Sequence, residues 1–228
     1  MKIFKDILHL FFPKICFTCN NNLVDNEKII CTSCYLDLPL VDNKDFINND
    51  ITNSLLGKIE IKKGGALLYL RSKGKTKELI HHLKYKNQQE IGTYLGKWFG
   101  STLNKKDVFS DVDYIIPVPL HKKKQRKRGY NQLTYFGKEL SDKLEIKFLE
   151  ENLVRINHTE TQTYKNRIDR FRTQKTKFLV TDPYQLKNKH ILLIDDVITT
   201  GATLKNCCDS LTKVENCKIS ILTMAYTE

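Results

Sequence analysis

Residues 191–203 read Ile-Leu-Leu-Ile-Asp-Asp-Val-Ile-Thr-Thr-Gly-Ala-Thr, and this stretch decides the fold. Four consecutive apolar residues predict a strand, His190 to Ile194, buried on both faces of a parallel sheet. Asp195 and Asp196 follow at its carboxyl end, and Gly201 allows a tight turn into a helix predicted over Thr203–Val214. Ligands of such sheets bind beyond the carboxyl ends of the strands. Adjacent carboxylates there can accept hydrogen bonds from the vicinal hydroxyls of a ribose. Thr199, Thr200, Gly201, Ala202 and Thr203 supply hydroxyl and N–H donors at a helix N-terminus, which suits a phosphate. A ribose 5-phosphate would satisfy both halves. The competing readings are a generic acidic strand end or a Walker-B-like element of an ATPase, and an ATPase also requires G-x-x-x-x-G-K-[ST]. Gly74-Lys75-Thr76 supplies its final half, but Tyr69 stands where the first glycine belongs.

Working outward, apolar runs alternate with amphipathic segments. Gly65–Leu70, Tyr114–Val118, Lys177–Val180 and Ile219–Met224 read as strands. Thr76–Leu83, Glu90–Leu103 and Asn131–Leu144 read as helices, the last capped by Asn131, and Ile91, Leu95, Trp98 and Phe99 share a helix face. The fold class is α/β, a parallel sheet covered on both faces. Pro117-Val118-Pro119-Leu120 leads into His121–Arg128, with six Lys or Arg in eight positions, and then Gly129-Tyr130-Asn131-Gln132. Cations between a strand and a capped helix suit a diphosphate; taken alone, the run reads as a solvated loop or a nucleic-acid patch.

Near the N-terminus, Cys16-Phe17-Thr18-Cys19 and Cys31-Thr32-Ser33-Cys34 form two CxxC knuckles. Two knuckles complete a tetrahedral Zn²⁺ site with no open position, hence a structural metal; labile disulfides or an iron–sulfur cluster are the alternatives. Between the knuckles the charged residues are Asp25, Glu27 and Lys28, so the module reads as a staple without a basic reading head. Cys207, Cys208 and Cys217 read as core residues.

The chain has 228 residues, 40% of them hydrophobic, enough for one medium domain and a small appendage. Its clustered cysteines point to a reducing, cytoplasmic setting. The first residues read as an amphipathic helix rather than a signal peptide, and no apolar run is long enough for stable membrane insertion. The net charge is +12, and residues 121–177 alone hold 16 Lys and Arg against 7 Asp and Glu. Such concentration favours polyanionic partners, phosphorylated small molecules or nucleic acid. The reading divides the chain into a zinc module (1–40), a connecting α/β region (41–110) that opens with a polar linker over Val41–Asn53, and a ligand-binding domain (111–228).

The Asp-Asp and Thr-Gly segment resembles the phosphoribosyl-diphosphate loop of type I phosphoribosyltransferases. With the cysteine knuckles, P-V-P-L, R-G-Y-N-Q, Leu83-Lys84-Tyr85 and Thr161-Gln162 with Arg167 and Arg170, the chain resembles the ComF family over nearly its whole length. The resemblance implies that Asp195 and Asp196 hold the ribose hydroxyls and Thr199–Thr203 the 5-phosphate, with Lys84 a further contact. It implies that the loop after Pro117 takes the diphosphate, with Arg128 as its catalytic cation. Mg²⁺ would accompany phosphoribosyl diphosphate, and a hood within residues 152–177 would build the pocket for an amine or nitrogen-base acceptor. Tyr85, Tyr130 and Tyr164 are stacking candidates or ordinary surface tyrosines. The family departs here at Lys122, Lys123 and Lys124, where arginines are usual, and at Arg172-Thr173. It further implies a role in natural competence beside DNA-uptake proteins. The rival classes are a single-stranded-DNA-binding module, for which Tyr130, Tyr135, Tyr164 and Phe171 interleave with the basic stretch, and a zinc-dependent regulatory or assembly factor.

Overall fold

The computed structural model describes residues 13–104, 107–121, 125–126, 128–156 and 177–227. Five strands form one parallel sheet: β1 (Gly64–Leu70), β2 (Tyr114–Pro117), β3 (Lys147–Phe148), β6 (His190–Ile198) and β7 (Lys218–Thr227), in the order β1-β7-β6-β2-β3. Ile191, Leu192, Leu193 and Ile194 are wholly buried at its centre, as an apolar run between two neighbouring strands requires. The α/β parallel sheet is therefore as expected. Lys177–Val180 does not join it. This strand, β5, pairs antiparallel with β4 (Leu153–Ile156) in a separate ribbon, with Arg155 opposite Phe178.

The helices are α1 (Thr32–Leu36), α2 (Asp50–Leu55), α3 (Lys75–Tyr85), α4 (Glu90–Asn104), α5 (Leu133–Leu144), α6 (Pro183–Leu186) and α7 (Ala202–Leu211). Ile91, Leu95, Phe99 and Leu103 recur at every fourth position of α4 and are buried, whereas Trp98 is only half-buried and meets Tyr35 at a centroid distance of 4.6 Å. Gly92, Gly96 and Gly100 recur at the same interval and let α5 approach closely. A Cβ on Gly96 would lie 2.8 Å from both the Glu139 Cβ and the Phe136 carbonyl oxygen.

The polar stretch Val41–Asn53, read as a linker, is a strap bound along β1. Asn43 donates to the Ala66 carbonyl at 2.7 Å and Asn49 to that of Gly64 at 2.8 Å. Phe46 is buried edge-on against Phe109, and Asn49 forms a capping box with Thr52 that starts α2. At the amino end of the sheet, the His190 ring bridges Asp111 (3.2 Å) and Ser220 (2.8 Å), and Lys63 pairs with Asp111 at 2.5 Å. Burial lowers the pKa of His190 despite that carboxylate, so the ring is neutral and can accept from Ser220. The expected N-terminal helix and the segment 157–176 lie outside the described residues, as do Lys122–Lys124 and Lys127.

Candidate functional site

The strand that carries the acidic pair runs further than expected. β6 continues through Asp195 and Asp196 to Ile198, pairing with β7 as far as Ile198 opposite Tyr226. On its other side β2 stops at Pro117, opposite Ile194, and Pro119 has no N–H to extend the ladder. The last four residues of β6 therefore project past β2, with one backbone edge unpaired among the described residues.

Successive strand residues face opposite ways, and the two carboxylates meet different partners. Asp196 accepts from Lys84 Nζ at 2.8 Å through one oxygen and from Gln132 Nε2 at 2.5 Å through the other. Asp195 lies beside α7, where its charge adds to burial in raising the Cys207 thiol well above its ordinary pKa. Burial first, and then the charge of Asp196, push Asp195 up to about 8, which leaves it largely protonated at neutral pH.

Arg128 completes the cluster. It donates to Gln132 Oε1 at 2.8 Å and stands 5.2 Å from the ring centre of Tyr85. Lys84, Asp196, Gln132 and Arg128 thus form one polar chain joining α3, β6 and the basic loop. Gln132, 5% exposed, is its central link and carried no role in the sequence reading. Asn131 is not the helix cap; α5 begins at Leu133, Gln132 occupies the cap position, and the Asn131 side chain accepts from the Leu133 N–H at 3.1 Å. A single sequence gives no cue that the residue beside Asn131 turns inward to a carboxylate 64 positions away. Of the stacking candidates, Tyr130 spends its hydroxyl on the Leu83 carbonyl, whereas Tyr85 is exposed beside Arg128; Tyr164 lies outside the described residues.

After β6 the Thr-Gly loop turns at Gly201, whose φ of +73° is left-handed. A Cβ there would meet Leu55 at 2.6 Å, so α2 packs under the loop and restricts this position to glycine twice over. Thr199, Thr200, Ala202 and Thr203 remain exposed at the start of the ten-residue α7, one turn beyond the carboxylates. Past the end of β2 a cavity of about 800 Å³ opens between the basic loop and the β4–β5 ribbon, lined by Leu120, Asn131, Asn152, Arg155 and Gln185.

The four cysteines of the knuckles converge, their sulfurs all within 4.8 Å of one another, with 3.8 Å between Cys19 and Cys31. Tetrahedral thiolate bonds of about 2.3 Å place sulfurs roughly 3.8 Å apart, so the side chains fit one ion. Burial raises the Cys16 pKa, but the Thr18 hydroxyl and the N–H groups of Cys31, Cys19 and Thr18 outweigh it and bring it to about 6, favouring thiolate. Glu27 ties the module internally, accepting from the Thr32 N–H and hydroxyl at 2.5 and 2.7 Å. Tyr35 on Trp98 and Asp37 on Lys75 at 2.6 Å fasten it to α4 and α3.

Residues 134–227 match the phosphoribosyl transferase domain family. The chain is similar to "Competence protein F" of Haemophilus influenzae, 37% identical over 60% of this chain and 61% of that protein. It is also similar to "Competence protein ComFC" of Bacillus subtilis, 26% identical over 84% and 75%. Among solved structures, the purine phosphoribosyltransferase of Pyrococcus horikoshii aligns with a TM-score of 0.36 at 22% identity, over 59% of this chain and 73% of that one. The chain spans about three-fifths of the Haemophilus protein's length. Among the described residues, no helix is long and apolar enough to cross a membrane. The phosphoribosyl transferase domain match and the competence-protein relatives support the resemblance to the ComF family read from the sequence.

Proposed function

We propose that the chain binds phosphoribosyl diphosphate at the overhanging end of β6 and acts in DNA uptake. The observation that carries this reading is the succession, within nine residues, of a buried acidic pair, the left-handed Gly201 turn and exposed hydroxyls at the start of α7. Asp196, oriented by Lys84 and Gln132, accepts from a ribose hydroxyl. Protonated Asp195 lowers the repulsion within the pair, and its ionisation in the complex would let it accept from the second hydroxyl. Thr199–Thr203 donate to the 5-phosphate. Arg128 and the basic loop face the diphosphate, with Lys84 beside them.

In transfer, the bond between the anomeric carbon and the diphosphate oxygen breaks with its electron pair leaving on diphosphate, and the cationic sugar is captured by a nitrogen nucleophile. Arg128 stabilises the departing charge. Both Asp196 oxygens already have partners, so Mg²⁺ would be carried in by the diphosphate, where it supplies further charge neutralisation. The acceptor would lie toward the cavity lined by Asn131, Asn152 and Arg155. Zn²⁺ at Cys16, Cys19, Cys31 and Cys34 would have a structural role in the module of residues 1–40, beside a connecting region to 110 and the binding domain from 111 onward.

Calorimetric titration with phosphoribosyl diphosphate and Mg²⁺ tests the reading. Saturable binding is expected, lost in Asp195→Asn/Asp196→Asn; equal affinity in that variant would refute the site. A second reading, that the same face holds single-stranded DNA, is favoured by exposed Arg126 and by exposed Tyr135, which Lys138 approaches to 5.9 Å. Oligonucleotide affinity should then fall steeply with salt, and a salt-insensitive affinity would count against it.

A further inference from the structure

The Gly74-Lys75-Thr76 segment has no part in the site just described, yet it forms a pocket of its own. It lies where β1 passes into α3, at an edge of the sheet. A cavity of about 250 Å³ there is lined by Asp37, Tyr69, Arg71, Lys73, Lys75 and Thr76. Beside it, a wider hollow of about 710 Å³ is lined by Leu70, Arg71, Ser72, Lys77 and Thr227. The two share Arg71.

Three observations bear on what this corner could hold. First, α3 is an eleven-residue helix whose cap position is Gly74, at φ +142°, so no side chain caps it. The N–H groups of Lys77 and Glu78 reach the Gly74 carbonyl at 3.1 and 3.3 Å, which leaves Lys75 and Thr76 as first-turn donors without a helical acceptor. Second, the Thr76 hydroxyl is buried in a residue only 2% exposed, and it has no hydrogen-bond partner among the described residues. The Thr227 hydroxyl on the adjoining hollow likewise has no partner among the described residues. A buried hydroxyl left unpaired is destabilising, and an incoming acceptor offsets that cost. Third, the linings contribute four cations, Arg71, Lys73, Lys75 and Lys77, against one carboxylate, Asp37, which already pairs with Lys75 at 2.6 Å.

N–H donors at a positive helix end, an idle hydroxyl and surrounding cations all call for one chemical group. We propose that the β1–α3 corner is a second anion site that takes a phosphate group, with the Lys75 and Thr76 N–H groups, the Thr76 hydroxyl and the Lys73 and Lys75 ammonium groups as its donors. Entry of the phosphate draws Lys75 from Asp37. The site is separate from the acidic end of β6, and it stands or falls independently of whether phosphoribosyl diphosphate binds there.

The test is a titration of the ¹⁵N-labelled chain with inorganic pyrophosphate at fixed ionic strength, following individual amides. The Lys75 and Thr76 amides are expected to shift saturably in the wild type and equally in Asp195→Asn/Asp196→Asn. Thr76→Val and Lys75→Gln should each weaken the midpoint about tenfold, and Asp37→Asn should strengthen it. Thr76→Val should also keep or raise the thermal midpoint, because it removes an unpaired hydroxyl without changing shape. Absence of a saturable shift at these two amides, or a midpoint indifferent to both Thr76→Val and Lys75→Gln, would overturn the proposal. So would a fall in thermal stability of Thr76→Val, since that would reveal a partner for the hydroxyl in the folded chain. Competition by oligothymidylate with and without a 5′-phosphate then identifies the source. Displacement by both forms means a phosphodiester backbone, by the phosphorylated form alone a terminal phosphate, and by neither a small phosphate compound.

Discussion

The two ends of the parallel sheet are built from similar residues and treat them differently. At the amino end, Lys63, Asp111, His190 and Ser220 close on one another, with Ser220 wholly buried and His190 5% exposed. At the carboxyl end, Thr199, Thr200 and Thr203 face solvent, Arg128 lies against an exposed tyrosine, and burial beside Asp196 raises the pKa of Asp195. Serine, histidine and aspartate in hydrogen-bonded sequence look like a nucleophilic triad. The burial of Ser220 makes them a structural tie between β6 and β7 instead. What separates a site from a scaffold here is whether its polar groups retain unused capacity.

Experiments can press on that contrast. The largest effect is expected at the open end: Asp195→Asn/Asp196→Asn should weaken phosphoribosyl diphosphate by a hundredfold or more in calorimetry while leaving the far-ultraviolet spectrum unchanged. Cys16→Ser should abolish Zn²⁺ binding by the four-cysteine cluster, read by a chromogenic chelator, and loosen residues 13–40 in hydrogen exchange while the sheet stays protected. At the closed end, His190→Ala should cost about 2–4 kcal/mol in urea unfolding, because it strands Ser220 and Asp111, yet leave ligand affinity intact. A loss of affinity there would show that the two ends are coupled. Gln132→Ala should weaken the ligand about tenfold, with Gln132→Glu worse, because a carboxylate would face Asp196.

A last effect is a slope with pH. The folded pKa of Asp195 lies above its unfolded value, so the folded chain holds a proton that the unfolded chain has lost between pH about 4 and about 8. Its contribution to stability is fully present below about 4 and is lost as pH rises through about 8. The urea midpoint of the wild type should therefore fall relative to that of Asp195→Asn across this window. Parallel midpoints would mean that the acidic pair shares its charge differently.

Much of this was legible in the sequence where one residue type has one physical use. The apolar run before Asp195 had to be a central strand, and two CxxC pairs had to converge. What escaped depended on partners distant in sequence. Asn43 and Asn49 look like loop composition, but their amides replace backbone donors along the edge of β1, so the linker is a strap. Phe178 and Val180 are buried and Leu179 exposed, an alternation that fits a two-stranded ribbon better than a central parallel strand. The overhang of β6 follows from a proline just beyond the end of β2, and the inward turn of Gln132 from a carboxylate on another element.

The stripe of glycines on α4 has a consequence beyond packing. Gly92 faces the backbone carbonyl of Gln132, and Gly96 faces Phe136 one turn further along. The separation of two helix axes thus sets where the amide of Gln132 points. A methyl group added to Gly96, on a helix that never touches the ligand, would tilt α5 and carry that amide off its carboxylate, detuning the site like a gunsight knocked from its mount.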